Sequence, residues 1–172
     1  MEQERISELT EIARRVRLGI VEAVYNAASG HPGGSLSSAD ILTYLYFEEL
    51  HIDPADPAAP DRDRMVLSKG HASPVLYSVL ANRGYFPVEE LKTFRKADSR
   101  LQGHPDLKKT PGVDMTTGSL GQGVSAACGM ALAAKLDGSR RRVYALMGDG
   151  ESEEGQVWEA GMAAAKFKLD NL

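Results

Sequence analysis

Three of the four histidines in the sequence follow a glycine: Gly30-His31, Gly70-His71 and Gly103-His104. Each stands at an element boundary or in a loop, where a scaffold can aim a side chain into a cleft. Imidazole gives and takes protons near neutral pH. Taken singly, each is as readily a surface or capping histidine. A zinc site is a weaker rival, because the spacings contain no helical i,i+4 pair and Cys128 lies inside an apolar run. The fourth histidine, His51, sits in a Pro-rich loop and reads as structural.

Two further stretches offer chemistry. Gly148-Asp149-Gly150 places a lone carboxylate after the apolar run Val143 to Met147. Such a carboxylate suits Mg²⁺, which takes one or two protein carboxylates and fills its shell with phosphate oxygens and water. An ordinary strand-to-helix turn is the plain alternative. Gly118-Ser119-Leu120-Gly121-Gln122-Gly123 leads into a helix, and its glycines permit close backbone approach to a phosphate or cofactor. Glu151, Glu153 and Glu154 read chiefly as favourable charges at a helix N-terminus. Lys69, a lone lysine, reads as solvated.

The elements that must position these groups alternate. Residues 4–29 form a helix whose inner stripe is Ile6, Leu9, Ala13, Val16, Ile20, Ala23 and Ala27. Ser37-Ser38-Ala39-Asp40 can cap a second helix carrying Ile41, Leu42, Leu45 and Tyr46. Residues 51–60 are a surface loop. Met65 to Ser68 reads as a buried strand. Ser73-Pro74 starts a helix with Val75, Leu76, Val79 and Leu80 on its apolar side, ending at Gly84. Pro87 opens a short helix with Leu91 and Phe94, and residues 95–115 are loop. A small-residue helix then runs to Leu136. Val143 to Met147 is a second buried strand. Gly155 to Lys166 is a helix with Val157, Trp158 and Met162 as its inner side. Helices alternating with short buried strands predict an α/β domain. The chain is helix-rich, with an incomplete doubly wound parallel sheet, since two strands fall short of the usual five or six.

The 172 residues suit one domain, and 42% hydrophobic with 26% charged residues is ordinary for a globular chain. A net charge of −4 gives no reason to expect nucleic acid or an anionic membrane as partner. No signal peptide or membrane-length apolar run is seen. The single cysteine allows no internal disulfide and suits a reducing cytoplasm.

Five stretches occur in order: Ser29-Gly30-His31-Pro32-Gly33, Leu67-Ser68-Lys69-Gly70-His71-Ala72, Gly103-His104-Pro105, Thr117-Gly118-Ser119-Leu120-Gly121-Gln122-Gly123 and Gly148-Asp149-Gly150. Together they resemble the N-terminal, diphosphate-binding domain of transketolases. Gln156-Val157-Trp158-Glu159-Ala160 resembles the split transketolases in particular, whose N-terminal half is a separate subunit. The resemblance implies that residues 1–172 are part of such a domain, taking thiamine diphosphate and Mg²⁺ (or Ca²⁺). It implies transfer of a two-carbon ketol unit from a ketose phosphate to an aldose phosphate, with the cofactor as electron sink, in the pentose phosphate pathway. It further implies that Asp149 ligates the metal, that Gly150 contacts the diphosphate, and that Gly118, Ser119 and Leu120 line the cofactor site. His71 would bind the cofactor's phosphate end. His31, His71 and His104 form the catalytic set, with His31 and His104 contacting the substrate's reacting oxygens. Glu154 resembles the glutamate that couples two cofactor sites across a dimer interface.

The family's metal motif continues to an Asn that would lie beyond Leu172, and its pyrimidine-binding domain is not among these residues. The expectation is therefore a chain inactive by itself. It should associate with a C-terminal transketolase subunit or with its own copies, through apolar surface at Leu120, Val124 and Met162. The rival readings are another thiamine-diphosphate enzyme, of the deoxyxylulose-phosphate synthase or dehydrogenase E1 α type, and a non-catalytic binding fragment. Lys69-Gly70-His71-Ala72-Ser73-Pro74 and the Gln-Val-Trp-Glu run favour transketolase over the other enzymes.

Overall fold

The computed structural model describes residues 2–172. Its elements are α1 (Gln3–Ala27), α2 (Pro32–Leu36), α3 (Ala39–Tyr44) continued by a π turn (Leu45–Glu49), β1 (Arg64–Leu67), α4 (Ser73–Arg83), a 3₁₀ segment (Val88–Thr93), α5 (Gln122–Leu136), β2 (Val143–Leu146) and α6 (Gly155–Lys166). The strands pair in parallel, Arg64 opposite Val143 and Leu67 opposite Leu146. Parallel strands need a long crossover, and here it carries α4, the loop beyond it and α5.

Successive residues of a strand face opposite sides, and β1 divides two cores in this way. Met65 and Leu67 join the larger core with α1, α3 and α4. Val66 points to the smaller one, with Val143, Val124, Ala127, Ala131 and Ala160. Helices thus cover both faces of the sheet, as expected for an α/β layered domain. A buried ion cluster fixes the start of β1. The Asp114 carboxylate accepts from Arg62 at 2.5 and 3.1 Å, from Arg64 at 3.1 Å and from the Met65 N–H at 2.8 Å. His51 is structural, as expected, its backbone N–H and ring both meeting Asp63.

The helix and strand positions follow the sequence pattern closely, and the differences lie in which faces are covered. In α1, Ile12 and Gly19 join the buried stripe, while Ile6 is 43% exposed near the helix start. Gly19 is where α4 and the 3₁₀ segment press closest: a Cβ there would overlap Ser78 Oγ and lie 2.8 Å from Leu91 Cδ1. The Pro32–Leu36 turn stands where the pattern implied only a helix stop. The Ser38 hydroxyl does not cap α3 but donates back to the Gly34 carbonyl at 3.0 Å. Helix α4 has no polar face, because Ser73 through Ala81 are all buried. Its serines donate to neighbours instead, Ser73 to the Gly103 carbonyl and Ser78 to that of Val16, each at 2.8 Å. In α6 the expected inner side holds only at Val157, which packs against the smaller core beside the buried Ala160; Trp158 is 68% and Met162 67% exposed. Val124, expected to be uncovered, is buried in the smaller core, and Leu120 is half-buried. No helix among the described residues is long and apolar enough to cross a membrane.

Candidate functional site

Because β1 and β2 run parallel, their carboxyl ends open on the same edge of the sheet, where open α/β sheets bind ligands. The turn Ser68-Lys69-Gly70-His71 leaves β1 there, and Met147-Gly148-Asp149-Gly150 leaves β2. The Ser68 and Lys69 N–H groups both point to the Leu146 carbonyl, at 2.9 and 3.4 Å, so the two exits are tied together.

The histidines come to this edge from three distant parts of the chain. Helix α1 ends at Ala28 in a left-handed turn. Gly30 (φ 139°) then delivers His31 immediately before α2. The His31 and His71 rings meet edge to face with centroids 5.0 Å apart. His104 lies against the glycine-rich loop, where a Cβ on Gly118 would come within 3.0 Å of its Cδ2. Burial pushes the His71 pKa below the ordinary imidazole value, the charges of His31, Lys69 and His104 push it the same way, and Glu151 opposes them. His71 is therefore neutral near pH 7, with one ring nitrogen donating and the other accepting. The structure thus gathers His31, His71, His104 and Gly118.

The loop before α5 is seated on the β1 exit with no room for side chains between them. A Cβ on Gly70 would lie 2.6 Å from the Thr117 carbonyl carbon, and one on Gly123 2.6 Å from Ser68 Oγ. Thr117, far from β1 in sequence, donates its hydroxyl to the Leu67 carbonyl at 2.7 Å. Gly121 adopts φ 81° as the residue before α5 and packs its α-carbon against Gln156. Glycine therefore lets the loop lie directly on the β1 exit, where the Gly121 N–H is taken up by Glu151 and the Val124 N–H by Ser68. Ser119 is exposed and Leu120 half-buried in the same loop.

Asp149 is exposed, at the head of a 3₁₀ turn (Gly150–Glu153) that carries the chain into α6. Nothing lies within 4 Å of the position a Gly150 Cβ would take, so its backbone is open to a ligand. Among the described residues no group of three or more His, Cys, Asp or Glu is placed to hold a metal. Asp149 alone suffices for Mg²⁺ only where phosphate oxygens and water complete the shell, so residues and ion fit when a diphosphate is present. Glu154 is exposed at the N-cap of α6, its Cβ 3.4 Å from where a Gly121 Cβ would stand. It lies beside the glycine-rich loop.

Two residues at this edge escaped the sequence reading. Lys69 is not solvated: it is buried, and its ammonium donates to the Gly34 carbonyl at 3.0 Å. Burial lowers its pKa, and the Asp149 and Glu151 carboxylates partly restore it. Glu151 is only 2% exposed. Its carboxylate accepts from the Ser68 hydroxyl at 2.5 Å, the Gly121 N–H at 2.9 Å and the Gly148 N–H at 3.0 Å. A lysine directly before a Gly-His turn was the available signal for the first. For the second there was none beyond an acidic residue in a turn, since two of its donors lie far away in sequence.

Residues 9–172 match the family described as transketolase, thiamine diphosphate binding domain. The chain is 50% identical over 165 residues to a 6-deoxy-6-sulfo-D-fructose transketolase subunit of Clostridium sp., covering 96% of this chain and 60% of that one. It is 49% identical over 166 residues to an apulose-4-phosphate transketolase subunit of Actinobacillus succinogenes, with 96% and 60% covered. Among solved structures, transketolase from Campylobacter jejuni superposes with a TM-score of 0.89 at 41% identity, covering 95% of this chain and 27% of that one. The chain therefore spans about three fifths of the length of these curated subunits.

Proposed function

The chain belongs to the family of transketolase thiamine-diphosphate-binding domains, and from that premise we propose that it forms the diphosphate-binding half of a transketolase active site. The observation that carries the reading is the gathering of His31, His71 and His104 at the edge where the Gly118 loop and the Asp149 turn also arrive.

In this reading Asp149 holds Mg²⁺ (or Ca²⁺) against the diphosphate. Gly118, Ser119, Leu120 and Gly150 line the cofactor. His71, neutral and half-buried, offers a hydrogen bond to the phosphate end, and Lys69 supplies positive charge a short distance away. Thiamine diphosphate, when bound, supplies the electron sink for carbon–carbon bond cleavage and formation. His31 and His104, in the same reading, contact a sugar's hydroxyl and carbonyl oxygens, and their ring nitrogens hold and return protons there. Substrates of this site are a ketose phosphate and an aldose phosphate, and the reaction is ketol transfer in the pentose phosphate pathway. The match over residues 9–172 favours this chemistry over that of a deoxyxylulose-phosphate synthase or a dehydrogenase E1 α subunit.

The other half of the site comes from a C-terminal transketolase subunit or domain, within a homo-oligomer in which Glu154 couples the cofactor sites. Exposed Trp158 lines an apolar cleft of about 310 Å³ between α5 and α6, and Met162 is exposed on the same helix, a face suited to such a partner. The lone cysteine, Cys128, is free and buried, which accords with a cytoplasmic setting.

One assay tests the reading. A complete N-terminal subunit carrying this chain, mixed with its C-terminal partner, is expected to form sedoheptulose 7-phosphate from xylulose 5-phosphate and ribose 5-phosphate. His31→Ala and His104→Ala should each lower kcat with little change in cofactor affinity. The 172 residues alone should form no product. Turnover by the isolated chain, or full activity in both variants, would contradict the proposed division of roles.

A further inference from the structure

Glu151 is a buried carboxylate to which the proposed chemistry assigns no part, and its three hydrogen bonds set it apart from the other acidic residues of its turn. An ionised carboxylate offers about four acceptor sites and no donor. Here three are met by donors from three separate segments: the Ser68 hydroxyl after β1, the Gly121 N–H before α5 and the Gly148 N–H after β2. These are the segments that carry Lys69 and His71, the glycine-rich loop, and Asp149. A glutamate serving only the N-terminus of α6 would instead bond the first free amides of that helix.

We propose that Glu151 is a positioning residue that fixes the relative register of the three backbone segments forming the cofactor's diphosphate and metal end. The inference rests on the diphosphate-site reading for its functional consequence, whereas the brace itself stands on the hydrogen bonds. Burying a carboxylate is costly unless it is paired and hydrogen-bonded. The Lys69 ammonium is the nearby compensating charge, and charge-assisted bonds of this kind are roughly twice as strong as neutral ones. Ser68 extends the brace: while donating to Glu151, its oxygen accepts from the Val124 N–H at 3.1 Å, so the first turn of α5 is held as well. The Gly148 N–H precedes Asp149 directly, so the bond from Glu151 sets the entry angle of the turn carrying the metal ligand.

Glutamine has the same size but places an NH₂ where one oxygen was. Facing the amide side toward Ser68 would oppose the Gly121 N–H, and facing it toward Gly148 would oppose that N–H. Either way one segment is released. The purified chain and its Glu151→Gln variant are to be compared by amide hydrogen exchange at Gly121 and Gly148, and by calorimetric titration with thiamine diphosphate at low and high Mg²⁺. Exchange at one or both glycines should quicken at least tenfold. Binding at low Mg²⁺ should weaken about 10–100-fold, the range seen when outer-sphere partners of a metal site are lost, and should recover in part at high Mg²⁺. A merely structural loss would leave the Mg²⁺ dependence unchanged. Ser68→Ala, which removes one donor to Glu151 and the acceptor of the Val124 N–H while leaving the bonds from Gly121 and Gly148 in place, gives a second version should the glutamine variant fail to fold. Unchanged exchange at both glycines together with an unchanged Mg²⁺ dependence overturns the proposal. Should the unaltered chain itself bind no cofactor, the diphosphate reading falls, and the exchange rates alone decide the brace.

Discussion

The ring of His31 stands edge to face against that of His71, with centroids 5.0 Å apart, although 40 positions separate them in sequence. The contact joins the exit of α1 to the exit of β1, and it puts two imidazoles where one sugar or phosphate could meet both. A charge on His31 also disfavours a charge on His71.

His71 should therefore titrate below the ordinary imidazole value, burial being the main cause and His31 the next. Its folded pKa lies below its unfolded one, so its stabilising contribution is complete above about pH 6.5. That contribution is lost as pH falls through this value and levels off below the folded pKa. Proton NMR of the His71 ring should show the low midpoint, and His31→Ala should raise it. A midpoint unmoved by His31→Ala would show the two rings to be electrostatically independent.

Asp149→Asn keeps the shape of an exposed turn residue and removes its charge. The fold should persist, with a melting temperature within a few degrees of the original, since surface changes usually stay within about 0.5 kcal/mol. Metal-dependent cofactor binding should fall by about tenfold or more. Equal binding by the two forms would reduce Asp149 to a turn residue.

Gly118→Ala places a methyl 3.0 Å from the His104 ring, closer than carbon atoms pack comfortably. The ring must shift, because the loop behind Gly118 is seated on Gly70 without slack. In the complete enzyme this variant should lose kcat while its circular dichroism stays native. Unaltered kcat would mean that His104 does not need its present position.

Helix α6 shows both the reach of the sequence pattern and its limit. Its bounds, Gly155 to Lys166, were legible because Gly155 and the Ala-rich run mark a helix plainly. Its inner face was misjudged because Trp158 and Met162 are apolar, and hydrophobicity alone does not say whether the covering surface belongs to the same chain. The two strands were legible as short apolar runs halted by glycine, and the histidines as Gly-His pairs at element ends. Glu151 was not, since its role depends on Ser68 and Gly121, which the fold brings to it from 83 and 30 positions away. Lys69 was missed for the same reason: the acceptor of its ammonium is the Gly34 carbonyl, delivered by α2 from 35 positions away.

The most direct test of the central claim is calorimetric titration of the purified chain with thiamine diphosphate and, separately, with thiamine, each in Mg²⁺ and in EDTA. What this chain supplies is the diphosphate and metal end of the site. Thiamine diphosphate with Mg²⁺ should therefore bind saturably, EDTA should abolish the heat, and thiamine should bind under neither condition. Heats for thiamine diphosphate that match buffer dilution in Mg²⁺, or that persist undiminished in EDTA, would contradict the account.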